Sequence, residues 1–164
     1  MCAPCHGPDG NSTHPRAPSL AGQPAFYIHW QLVFYRAKRR VDPEMMPFAA
    51  GLTDEQMTDL AAYYAAQRVV PPPPRSRPAE KIAAGRAASE RHHCVSCHAP
   101  DFTGQQYAPR LAGLSYEYLV RQLREFKAQT RGELDGAMAT AAQPLTDQDI
   151  DNLAEYIAAF LDRN

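Results

Sequence analysis

Two short motifs, Cys2-Ala3-Pro4-Cys5-His6 and Cys94-Val95-Ser96-Cys97-His98, constrain this chain more than any other feature. Each is a Cys-x-x-Cys-His pattern, the attachment signature of c-type haem. The two thiols add to the two vinyl groups of one haem, and the adjacent imidazole is set against the iron as its proximal ligand. The motifs consume all four cysteines of the chain and carry the histidine in the same place. The competing use of two Cys-x-x-Cys pairs is one zinc site or two disulfides. Neither gives a reason for a histidine directly after each second cysteine. Two covalently attached haem c groups (iron) are therefore expected, bound through Cys2, Cys5, Cys94 and Cys97, with His6 and His98 on the metal.

The motifs belong to a longer internal repeat. Pro18-Ser19-Leu20-Ala21-Gly22 recurs as Pro109-Arg110-Leu111-Ala112-Gly113, and Tyr27, Gln31 and Leu32 recur as Tyr118, Gln122 and Leu123. Leu52-Thr53-Asp54 recurs as Leu145-Thr146-Asp147, and Leu60-Ala61-Ala62-Tyr63-Tyr64 as Leu153-Ala154-Glu155-Tyr156-Ile157, so the offset stays between 91 and 93. Between the copies runs a stretch with four consecutive prolines, Pro71 to Pro74. That composition rules out a helix interior and favours an extended, semi-rigid spacer. The expected organisation is one haem domain over 1–70, a linker over 71–78 and a second haem domain over 79–164.

Both copies read as helical, and no stretch alternates as a strand. Thr53-Asp54-Glu55-Gln56 fits a capping box, and Thr146-Asp147-Gln148-Asp149 is a weaker version. Met57, Leu60, Ala61 and Tyr64, and in the second copy Ile150, Leu153, Ala154 and Ile157, follow at helical spacing. A middle helix is expected over about 24–39 and again over about 115–130. A helix over 79–92 precedes Cys94 and has no counterpart before Cys2. The face carrying Leu60 and Tyr64 is therefore expected to be exposed unless the native chain extends upstream. Haem attachment of this kind takes place outside the bacterial cytoplasm, yet the chain shows no export signal. A mature or trimmed form is the expectation.

Each iron needs a second axial ligand with a soft or imidazole donor. The candidates are Met45 or Met46 in the first copy and Met138 in the second, Met138 in an expected loop of small residues. Aligning on Leu-Thr-Asp favours Met45, which precedes Leu52 by seven residues as Met138 precedes Leu145. Met57 suits a core position, and methionine elsewhere often fills irregular gaps in a core. The carbonyls of Pro18 and Pro109 are candidate acceptors for the other ring nitrogen of the ligating histidines, alongside an ordinary role in turns. His14, His29, His92 and His93 read as surface or structural. Arg36, Lys38, Arg39 and Arg40 read as a cationic helix end facing the dipole, with a docking patch or a haem-propionate partner as the sharper alternative. Trp30 and Tyr35 read as core, with haem-propionate donors as the alternative.

With these elements in place, the chain resembles the cytochrome c4 family, and Cys5 to Ser12 (Cys-His-Gly-Pro-Asp-Gly-Asn-Ser) carries the likeness strongly. The resemblance implies an all-α fold of two tandem class I cytochrome c domains in pseudo-twofold relation. It implies axial pairs of His6 with Met45 and His98 with Met138, and residence in the bacterial periplasm, with membrane association only through a partner or a missing segment. The implied role is electron carriage, with no catalysis of its own, between redox partners such as a bc1-type complex and a membrane terminal oxidase. The alternative is the electron-transfer subunit of a dehydrogenase complex such as flavocytochrome c sulfide dehydrogenase. A catalytic dihaem enzyme would require a missing or unusual sixth ligand. The net charge of −1 gives no reason to expect nucleic acid, and no apolar run reaches the ~18 residues of a membrane span.

Overall fold

In the computed structural model, which describes residues 1–163, all the regular elements are helices. The first half holds α1 (Ala3–His6), α2 (Ala25–Arg36), α3 (Met45–Ala50) and α4 (Asp54–Ala65). The second holds α5 (Ala79–Arg91), α6 (Val95–His98), α7 (Tyr116–Lys127), α8 (Ala137–Ala142) and α9 (Asp147–Ala158), then a 3-10 turn at Phe160–Arg163. The elements α1 to α4 recur in order as α6 to α9. Residues 69–78, including the four prolines, carry no helix or strand.

Local chemistry accounts for the helix ends. Thr53 and Gln56 form a reciprocal capping box, with contacts of 3.1 and 3.0 Å. The weaker sequence at Thr146 also closes completely, because the Asp149 carboxylate reaches back to the Thr146 N–H at 3.0 Å. The middle helices stop about three residues before their expected ends. Lys38 (φ 56°) and Gln129 (φ 56°) turn left-handed there. The N–H groups of Arg39 and Arg40 then fold back to the Phe34 carbonyl, satisfying an acceptor that a longer helix would have used.

In the second half α5 crosses α9 at Gly85, where a Cβ would lie 2.0 Å from the Asn152 carbonyl oxygen. Only glycine permits that approach, and it lets Ile150, Leu153, Ala154 and Ile157 of α9 bury fully beneath α7 and α5. In the first half α2 packs on α4 through Ile28, Ala61 and Tyr64, with Met57 fully buried as its spacing suggests. Tyr64, expected on an exposed face, is only 6 % exposed. The loop after α1 covers it: Gly10 (φ 84°) brings backbone against the Tyr64 ring, where a Cβ would sit 2.7 Å away. Leu60 is half-buried and Tyr63 stays exposed.

The halves dock through equivalent residues. Arg40 Nη2 donates to Tyr118 Oη (3.0 Å) and Gln122 Oε1 (2.7 Å), and Arg131 Nη2 donates to Tyr27 Oη (2.9 Å) and Gln31 Oε1 (3.2 Å). Each guanidinium also lies over an aromatic ring of its own half, Arg40 over Tyr35 and Arg131 over Phe126. These are repeat partners at an offset of 91, so the seam has pseudo-twofold symmetry. Arg40 is therefore buried in the seam (4 % exposed) and not part of a cationic helix end. Gln23 reinforces the docking by bridging the Arg110 N–H and carbonyl at 2.9 and 2.7 Å.

Candidate functional site

The short helices α1 and α6 build the first part of each site. Cys2 caps α1 and Cys5 follows one turn later, with His6 next in line; Cys94, Cys97 and His98 repeat the arrangement on α6. Cys2 and Cys94 are half-buried, Cys5 and Cys97 are exposed, and no disulfide joins them. His6 and His98 are buried, and their Nδ1 atoms lie 2.8 Å from the Pro18 carbonyl and 2.9 Å from the Pro109 carbonyl. A carbonyl only accepts, so Nδ1 carries the proton and Nε2 presents a lone pair. Burial pushes both imidazoles below the ordinary histidine range, against the opposing pull of the proline carbonyls. Both rings are thereby held neutral, the form that binds a metal.

The proline carbonyls are fixed by the loops that contain them. In the first half the N–H groups of Leu20 and Ala21 both reach the Gly10 carbonyl, and in the second those of Leu111 and Ala112 both reach the Phe102 carbonyl. Gly7 and Gly10 adopt left-handed backbone (φ 80° and 84°), and their counterparts Ala99 and Phe102 do the same (φ 67° and 55°).

One cavity of about 2540 Å³, counting its openings to solvent, runs through both halves along the seam. His6, His98 and all four cysteines line it. Met45 and Met138 also line it, whereas Met46 is not in its wall. Met138, expected in a loop, is the second residue of α8, and Met45 opens α3. Two carboxylates hold these helix starts. Asp42 Oδ1 accepts the N–H groups of Glu44 (3.0 Å) and Met45 (2.9 Å), and Glu133 accepts those of Met138 (2.9 Å) and Ala139 (2.6 Å).

The donor set suits c-type haem. Each half contributes two thiols, one neutral imidazole and one thioether to the same largely apolar space, walled by residues such as Ile28, Leu32, Leu119 and Phe126. Arg40 and Arg131 also reach the wall; no carboxylate pairs with either among the described residues, so two cations sit desolvated where a large ligand would lie. No group of three or more His, Cys, Asp or Glu side chains among the described residues is arranged to hold an ion, which leaves the zinc reading without a site. Tyr35 is buried and Trp30 half-buried, and both line the cavity. His92 and His93 also line it, while His14 and His29 are outside its wall. Sequence reasoning missed Asp42, Glu133 and Arg131. Their signal was the repeat itself, since Asp42 aligns with Glu133 and Arg40 with Arg131.

The cytochrome c family profile matches residues 1–66 and 82–160. Cytochrome c4 of Thiocapsa roseopersicina is 37 % identical over 165 residues, 96 % of this chain and 85 % of that protein. The thiosulfate dehydrogenase electron acceptor of Stutzerimonas stutzeri (strain A1501) is 37 % identical over 170 residues, covering 96 % of this chain and 77 % of its own length. The crystal structure of reduced recombinant cytochrome c4 from Pseudomonas stutzeri superposes with a TM-score of 0.86 at 29 % identity, covering 96 % and 92 % of the two chains.

Proposed function

The chain belongs to the cytochrome c family, within its cytochrome c4 group, and we propose that it relays electrons in the bacterial periplasm from a bc1-type donor complex to a terminal oxidase. Dihaem electron transfer through covalently bound haem c is the established character of the group to which it belongs. None of its described helices is long and apolar enough to cross a membrane.

The residue assignments rest on the two motifs and the internal repeat, and the shared cavity lining supports them. Cys2 and Cys5 would hold one haem and Cys94 and Cys97 the other, with His6 and Met45, and His98 and Met138, as axial pairs. The group supplies one-electron iron chemistry, at a potential that methionine opposite histidine raises relative to two histidines. The protein's part would be to hold each group with one imidazole and one thioether, so that no substrate could take either place, and to exclude water with an apolar wall. Pro18 and Pro109 fix the tautomer of each histidine, and Arg40 and Arg131 would meet the haem carboxylates.

The observation that carries the relay reading is the single cavity shared by both donor sets, which would bring the two groups together across the seam. The test uses the purified holo-protein, reduced, mixed with oxidase-containing membranes. Full reoxidation of both haems at turnover rates, with no CO binding by the reduced protein, is expected. Ready CO binding at either haem sinks the reading.

A second reading, the electron-accepting partner of a periplasmic dehydrogenase, is favoured by the Stutzerimonas relative, whose name records that role with thiosulfate dehydrogenase. Thiosulfate with a catalytic amount of such a dehydrogenase would then reduce this protein faster than a generic cytochrome c.

A further inference from the structure

The two methionine-bearing turns are anchored by equivalent carboxylates that are used differently. Glu133 spends both oxygens on α8: Oε2 accepts the Met138 N–H and Oε1 the Ala139 N–H. Asp42 spends only Oδ1 on α3. Its other oxygen, Oδ2, lies 3.1 Å from Nη2 of Arg121, which reaches across from α7 of the opposite half. Asp42 is buried (9 % exposed), and Arg121 is steadied by Glu125 at 3.5 Å and by the Tyr118 ring beneath its guanidinium. The repeat partner of Arg121 is Trp30, which has no cation to offer Glu133.

We propose that Arg121 is a positioning residue for the other half's axial ligand: by holding Asp42, it fixes the turn that presents Met45. Ligation in the first half then depends on the docking of the halves, while ligation in the second is self-contained. The physical reason is the cost of a buried carboxylate that loses its cation. Without Arg121, Asp42 gains by swinging toward water, and the two N–H groups it caps go with it. The inference rests on the reading that Met45 is the first haem's ligand.

The test uses holo-protein carrying both haems. Two readouts report the strength of each methionine bond separately: the affinity of each ferric haem for added imidazole, which competes with methionine, and the methionine methyl resonances of the reduced protein. Met45→Leu and Met138→Leu assign the resonances. Arg121→Met should raise imidazole affinity at the first haem about fivefold, the scale of a partly buried ion pair. The second haem should stay unmoved. Asp42→Asn, which keeps an acceptor oxygen for the turn, should act in the same direction, and the double variant should add little to either single one. Glu133→Gln should affect the second haem alone. An unmoved first haem in Arg121→Met, or equal shifts at both haems, overturns the inference. If Met45→Leu leaves both methionine resonances in place, the ligand assignment itself has failed, and the positioning role falls with it.

Discussion

Ala99 and Phe102 occupy backbone positions that the first half gives to Gly7 and Gly10. A left-handed residue with a Cβ carries a steric cost that glycine avoids. Ala99→Gly should therefore stabilise the holo-protein, by at most about 1 kcal/mol once the extra freedom of an unfolded glycine is counted. A thermal melt followed at the haem absorbance checks this. Phe102 behaves differently. Its ring is fully buried, edge-on to Tyr156 and Phe160, so packing holds the residue in its strained backbone.

At the scale of elements, α5 and α9 are joined by their close crossing at Gly85 and by ion pairs along their sides. Lys81 meets Asp151 at 2.6 Å, and Arg91 meets Asp149 at 2.5 Å. The Lys81 ammonium, and then the Tyr116 hydroxyl, hold the Asp151 carboxyl below its ordinary value of 3.8. A depressed carboxyl contributes stability that is present above the unfolded pKa and is lost as pH falls through the folded one. Asp151→Asn should thus lower stability near neutrality, by under about 1 kcal/mol because the pair is partly solvated. The difference from wild type should vanish once the pH falls below the folded pKa. Denaturant midpoints at neutral and strongly acid pH give the comparison; a difference that persists in acid would assign the effect to packing.

For the whole molecule, the seam decides whether two domains act as one. Gln23 pairs with both backbone groups of Arg110, while its own repeat partner is Leu114. Burial without a carboxylate pushes the Arg110 guanidinium down to about 10, still cationic at neutral pH, and Nη2 donates to the Ala21 carbonyl at 2.7 Å. Gln23→Leu would strand the buried Arg110 N–H and carbonyl, costing about 1–3 kcal/mol. The expected result is a broadened denaturation with the halves unfolding in separate steps. Coincident transitions at both haems would show that the seam holds without this pair.

Much of this was legible without coordinates. The haem-attachment motifs are contiguous, so five residues state the covalent chemistry wherever they fold. The threonine caps are equally local, since a side chain three residues away completes each one, and the repeat announces two domains of one fold. Tertiary structure decided the rest. Arg40 belongs to a basic run by sequence, yet its partners Tyr118 and Gln122 lie 78 and 82 residues away. Tyr64 is covered by a loop that no periodicity reveals. Met45 and Met46 are adjacent and chemically alike; the repeat favours Met45, and the orientation of α3 puts Met45 but not Met46 in the cavity wall. Asp42 and Arg121 likewise carry no mark of their pairing, because it forms only when the halves dock. Short-range bonding and capping are written in neighbouring residues, whereas burial and charge pairing depend on which distant surfaces the fold brings together.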